Sequence, residues 1–438
     1  MRYTANKMDG LYLGIDIGTS GCRVAAIGDD AQPRGQNAVP MPAPMRNGAM
    51  IEQDPAVWWR AVSQALKGLL DKLDRRAVRA IAVDGTSGTL LLCNAKGEAL
   101  GPGLMYNDAR AIAEADLVAK LAPSASGALG PSSALAKLLH LTADDRFGLA
   151  AHALHQADWI AARLSGRLGL SDHNNALKLG YDVIADRWPD WFDGLDLPRH
   201  LLPEILPPGR EIGPIDNAQA TTFGLPSSTR IVSGTTDGVA AFLATGASEL
   251  GDAVTSLGST LVVKQLADRP LFDPASGVYS HRLGDLWLPG GASNSGGAAL
   301  AQFFSPATIE QLSAGMRPEQ PTDLDYYPLP DTGERFPIND PKKVSITEPR
   351  PSNDTLFLQG LMEGIASIEV QAYKKLQTLG APLLRSVRTV GGGAVNQPWT
   401  KIREAALGVE IMTPETIEAA FGAARLARIA LLHEGTTT

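Results

Sequence analysis

The chain has 438 residues, enough for two hydrophobic cores. Its formal net charge is −8 and it has no Lys/Arg run, which argues against a nucleic-acid partner and for anions held by backbone N–H groups and a cation. Two cysteines, Cys22 and Cys93, argue against a disulfide framework, and no apolar run is long enough for a membrane span. The opening Met1–Met8 carries no apolar signal region, so a reduced, cytoplasmic protein with no membrane partner is expected.

The apolar runs 11–17 and 23–27, joined by Gly-Thr-Ser-Gly, predict a β-hairpin with an open polar turn. Asp54-Pro55 opens a helix, with Val57, Trp58, Val62, Ala65, Leu69 and Leu70 on one face. Trp58 and Trp59 read as core. Residues 80–83 predict a buried strand that ends in Asp84-Gly-Thr-Ser-Gly-Thr89, and 90–93 another strand with a turn at 94–97. Helical patterns lie around 111–121, 133–142 and 153–165. His152 and His155 fall three apart on that third helix, but no HExxH pattern accompanies them, so they read as structural. Ile231-Val232 leads into Ser233-Gly-Thr-Thr-Asp-Gly238 and a small-residue helix.

A second half then echoes the first. Residues 252–264 are again strand, Gly-Ser-Thr turn and strand, and Arg388–Ala394 takes the place of Ala82–Ser87 as a strand ending in glycines. The expected domains are 1–246 and 247–438. Residues 305–355 are loop-rich, 356–379 a long helix stopped by Gly380, and 415–432 the last helix.

Four features carry chemistry. The first hairpin turn aims N–H groups and the hydroxyls of Thr19 and Ser20 at an anion, with Asp16 placed for a cation or a substrate hydroxyl. An ordinary polar turn is the competing reading. Gly258-Ser259-Thr260 offers a second such turn. Gly391-Gly392-Gly393-Ala394, followed by Asn396, lets backbone approach a flat ligand such as a nucleotide base. Asp237 stands at a helix start, as an N-cap or as a general base for a sugar hydroxyl. Tyr106-Asn107-Asp108-Ala109-Arg110 is a loop that suits a polyol or plain solvent. Neither a P-loop nor a G-x-G-x-x-G motif is present.

Together these motifs resemble the FGGY carbohydrate kinases of the actin-like ATPase superfamily, over nearly the whole chain. Gly14–Arg23 resembles the family's first phosphate motif, Leu257–Thr260 the second, Gly391–Ala394 with Asn396 the adenosine motif, and Thr236-Asp237-Gly238 the catalytic segment. Leu329–Pro337 and Glu363–Ala366 also resemble family segments. The resemblance implies an α/β fold of two actin-like, ribonuclease H-like domains with ATP in the cleft between them. It implies Asp237 as base, Asp16 near Mg²⁺ and the sugar, and Ser87, Gly88 and Asp108 on the sugar side; a homodimer is compatible with it. Where xylulose kinases usually carry Gly-Gln-Met-His-Gly, this chain has Gly85-Thr-Ser-Gly-Thr89. The segment Ser171–Asp182 is most similar to the short D-ribulose kinases. The family's Lys-x-x-Trp pattern keeps Lys137 but has His140 at the tryptophan position. The expected reaction is phosphorylation of D-ribulose at its terminal hydroxyl, with D-xylulose as runner-up and a sugar-free actin-like ATPase switch as the rival from another class.

Overall fold

β1 (Leu11–Ile17) is buried along its whole length, as a central strand covered on both faces must be. The computed structural model describes residues 9–144 and 147–433, so Met1–Met8 lies outside the described residues. The chain forms two units: the stretch up to Ala244 joined by the stretch from Glu418 on, and Thr245–Ile417.

In the first unit, β1 pairs antiparallel with β2 (Gly21–Ile27), and β2 with β3 (Pro33–Pro40). On its other side β1 pairs in parallel with β4 (Val78–Gly85). β5 (Glu211–Pro214) closes the sheet, antiparallel to β6 (Arg230–Thr236), which is parallel to β4. The order is β5-β6-β4-β1-β2-β3, so β1, β4 and β6 end on the same side. α1 (Pro55–Leu70) starts as expected: the Asp54 side chain accepts the Ala56 N–H and proline fills the first turn. α2 (Ala134–Thr142), α3 (Gln156–Ser165) and α4 (Asp237–Ala244) follow.

One element differs from expectation. Residues 153–155 are not helical: His152–His155 is a strand paired antiparallel with Leu90–Cys93, and α3 begins only at Gln156. His152 and His155 are therefore strand residues. His155 Nδ1 lies 3.1 Å from Asp158 Oδ2 as part of a capping box at the start of α3.

The second unit repeats the plan. β7 (Asp252–Leu257) and β8 (Leu261–Gln265) form its hairpin, and β9 (Tyr279–Leu283) and β10 (Leu286–Ser293) extend it. β11 (Ser386–Val390) pairs in parallel with β7, as β4 does with β1, and β12 (Ile411–Met412) lies beyond it. The long helix α5 (Asp354–Thr378) buries Phe357, Leu358, Leu361, Met362, Ile365 and Ile368 in the unit's core; α6 (Gln397–Leu407) follows the glycine triplet. The last helix, α7 (Ala419–His433), packs in the first unit through Ala420, Ala423, Ala424 and Ala427, against Tyr12, Ala80, Ala82 and Val232. A boundary at 246/247 would leave this helix with the second half, whereas it belongs to the first unit. No helix among the described residues is long and apolar enough to cross a membrane.

Candidate active site

Three carboxyl groups meet where the parallel strands of the first unit end. Asp16 sits near the end of β1 and is the register partner of Asp84 on β4, which is also paired with Thr235 of β6. Asp237, two residues on from Thr235, is the first residue of α4. Asp84 is 0% exposed, and neither of its oxygens meets an N–H or O–H donor among the described residues. Burial, reinforced by the charges of Asp16 and Asp237, pushes Asp84 well above the usual carboxylate range. Burial likewise pushes Asp16 up to about 6; the contact with Asp84 opposes it and the Asp237 charge adds to it. Arg23 Nη1 lies 3.6 Å from Asp16 Oδ2 on the half-exposed side.

Beside this cluster, the loop after β4 is fixed from two directions. Gln156, the first residue of α3, accepts from Thr86 N at 3.1 Å and Thr86 Oγ1 at 2.9 Å through its Oε1. Lys137 is 0% exposed and donates to Gly88 O at 2.8 Å and Met105 O at 2.7 Å. It thus ties the 85–89 loop to the loop carrying Tyr106 and Asn107. Burial draws the Lys137 pKa down to about 7. Ser87 lies on the loop so held, and its buried Oγ has no partner among the described residues.

In the second unit, the Gly258–Thr260 turn is closed by Gly258 N donating to Thr260 O at 3.1 Å. Gly297 N and Ala298 N donate to Gly258 O and Ser259 O, which seats the turn on the helix Gly297–Ala301. The triplet after β11 lies against this hairpin. A Cβ on Gly391 would stand 2.7 Å from Leu257 O, and one on Gly393 2.8 Å from Leu257 Cβ, so both glycines are needed for packing. Gly392 faces open space.

Family models decide the identity. The model of the N-terminal domain of the FGGY carbohydrate kinases matches residues 11–244, and that of the C-terminal domain matches 253–431. The chain belongs to the FGGY family of carbohydrate kinases. It is an ATP-dependent carbohydrate kinase, and the sugar-free switch falls away. It is 25% identical to the xylulose kinase of Escherichia coli K12, over 96% of this chain and 90% of that one. A crystal structure described as a xyloylose kinase from Brucella ovis superposes with a TM-score of 0.87 at 26% identity, covering 97% of this chain and 91% of the other. Plasmodium falciparum glycerol kinase with ADP gives 0.83 at 16% identity over 97% and 90%, a likeness of fold alone.

On this FGGY frame the expected site residues fall into two groups. Asp16, Thr19 and Ser20 share one hairpin, and Asp16 meets Asp237 electrostatically. Ser87 and Gly88 lie on the fixed loop. Asp108 is a correction. It is 0% exposed, and its oxygens are taken by Ile51 N at 2.6 Å, by Arg110 N and Nε at 3.2 and 3.0 Å, and by Arg110 Nη2 at 2.5 Å. It holds Arg110 and the strand before α1 in place and has no lone pair left for a sugar. Asn396 caps α6, its Oδ1 accepting Trp399 N, and its Nδ2 donates to Ser313 Oγ. Asp84, Gln156 and the anchoring role of Lys137 were missed. Among the described residues, no group of three or more His, Cys, Asp or Glu is arranged to hold a metal. Mg²⁺ needs fewer protein ligands, because it keeps waters and takes phosphate oxygens. The hard-oxygen pair Asp16 and Asp84, with two donorless oxygens, fits it.

Proposed function

We propose that the chain transfers the γ-phosphoryl group of ATP to the terminal hydroxyl of a 2-ketopentose, with D-ribulose as the substrate and D-xylulose as the second reading. What carries the pentulose reading is the end-to-end similarity to proteins named xylulose kinase, together with a polar loop at 85–89 fixed beside the carboxyl cluster. The choice of D-ribulose rests on the likeness of Ser171–Asp182 to the short D-ribulose kinases, with Gly85-Thr-Ser-Gly-Thr89 standing where xylulose kinases usually carry Gly-Gln-Met-His-Gly.

Asp237 accepts the proton of the attacking hydroxyl. Ser87 and Gly88 orient the sugar, and Lys137 and Gln156 hold their loop. Backbone N–H groups and hydroxyls at Thr19–Ser20 and at Gly258–Thr260 take phosphate oxygens, while Gly391–Ala394 faces the adenosine. Phosphoryl transfer asks the protein chiefly for position and charge neutralisation, which these groups provide. Mg²⁺ would be held by Asp16, with Asp84 beside it, and when bound supplies positive charge against the β- and γ-phosphates.

Asp237→Asn tests the base. Turnover should fall by roughly 100-fold or more while ATP still binds. Near-normal turnover would remove Asp237 from the reaction.

A further inference from the structure

β6 does not run evenly into Asp237. Up to Val232 it keeps step with β4, Val232 standing opposite Ala82. Asp84 then faces Thr235, one residue later than even pairing would give. One extra residue is taken up at Ser233–Gly234, a β-bulge of the kind that re-aims side chains beside active sites. The bulge draws Asp237 one residue back toward Asp84 and Asp16, the two groups its charge acts on.

Separate contacts hold the two sides of this bulge. On the near side, Ser233 Oγ donates to Pro207 O at 2.6 Å and accepts from Arg210 N at 2.9 Å. Gly234 lies so close to β4 that a Cβ on it would stand 1.6 Å from Val83 O. On the far side, Thr235 is fully buried, and its Oγ1 accepts from Asn174 Nδ2 at 2.9 Å. Asn174 is fully buried too, on the short helix His173–Leu179. Asp172 caps that helix and fixes the residue: its Oδ1 accepts from Asn174 N at 2.8 Å and Asn175 N at 3.2 Å, and its Oδ2 from Asn175 Nδ2 at 2.6 Å. A pre-set amide thus grips β6 two residues before Asp237. Packing alone would let the strand end slide, whereas a buried hydrogen bond is directional and costly to leave unmade.

We propose that Asn174 is a positioning residue for phosphoryl transfer: acting through Thr235 Oγ1, it sets where the Asp237 carboxylate stands against the attacking hydroxyl. The inference rests on Asp237 being the base. Neither Asn174 nor Thr235 has to touch the substrate. A misplacement of about 1 Å in a reacting group can cost about 100-fold in rate, so a single link near the base is enough to matter.

Steady-state kinetics and nucleotide binding of full-chain variants test it, with D-ribulose or D-xylulose, whichever turns over faster. Asn174→Ala and Thr235→Val should each lower kcat about tenfold or more, with the sugar KM and the affinity for a non-hydrolysable ATP analogue within about twofold of wild type. Thr235→Ser keeps the hydroxyl and should recover most of the loss. The double variant Asn174→Ala/Thr235→Val should be no slower than the slower single variant, since both remove the same link. In an Asp237→Asn background, Thr235→Val should have no further effect. Further slowing there, or near-wild-type kcat in both single variants, would overturn the proposal. So would a parallel loss of sugar and nucleotide affinity, which marks a general structural role. Val is close to Thr in shape, so Thr235→Val carries the test if Asn174→Ala does not fold. Near-normal turnover of Asp237→Asn alone would instead remove the base, and the proposal with it, which separates the two failures.

Discussion

Burying Asp84 beside Asp16 and Asp237 costs stability in a way that depends on pH. Both Asp16 and Asp84 hold their protons to higher pH in the folded chain than when unfolded. Between the ordinary carboxylate value near 4 and the Asp16 value of about 6, the folded state therefore binds more protons, and stability falls as pH rises. Asp84 continues the fall above that range. Urea unfolding of the nucleotide-free protein should show this slope, and Asp84→Asn should flatten it and raise stability at pH 8. An unchanged slope would place the protons elsewhere. Lys137 invites a different test. Replacing it with Met leaves Gly88 O and Met105 O buried without their donor, at about 1–3 kcal/mol each. The sugar KM should then rise at least about tenfold with nucleotide affinity unchanged; an equal loss of both affinities would indicate general unfolding. At this scale the sequence pointed to Asp16 and Asp237, because each lies next to a recognisable turn, and the fold brings their charges together. It hid Asp84, whose importance depends on the β1–β4 register. Asp108 was misassigned because residue type shows that a polar group exists, not which partners already use it.

Among the elements, α7 lies against β1 and α4 at distances that leave no room for side chains. A Cβ on Gly14 would stand 1.9 Å from Ala420 O, and one on Gly422 1.8 Å from Ala240 O. Gly14→Ala and Gly422→Ala should each destabilise the first unit by about 1–3 kcal/mol, as overpacking does, measurable by chemical denaturation. A chain ending at residue 417 should lose protection from hydrogen exchange in β1 and β4, since it uncovers Tyr12, Ala80 and Ala82. Both hairpins, α1 and α5 were legible because caps, turns and periodicity agreed. The strand His152–His155 was not, because four residues directly before a helix fit either period and only the partner Leu90–Cys93 decides between them. The place of α7 was equally hidden, since its small-residue face names no partner.

At the scale of the molecule, the sequence repeat is a repeat of topology. A hairpin followed by a parallel strand occurs at β1-β2-β4 and again at β7-β8-β11. That repeat, with glycine-rich turns and Asp237, made the two-domain kinase class readable without a structure. The sugar was less readable, because its recognition depends on a few pocket side chains whose placement no motif gives. The most direct measurement is ADP release by the purified protein with ATP and Mg²⁺ across D-ribulose, D-xylulose, other ketopentoses, polyols and glycerol. The predicted result is release that depends on a 2-ketopentose and is fastest with D-ribulose; equal release with and without every sugar would contradict it.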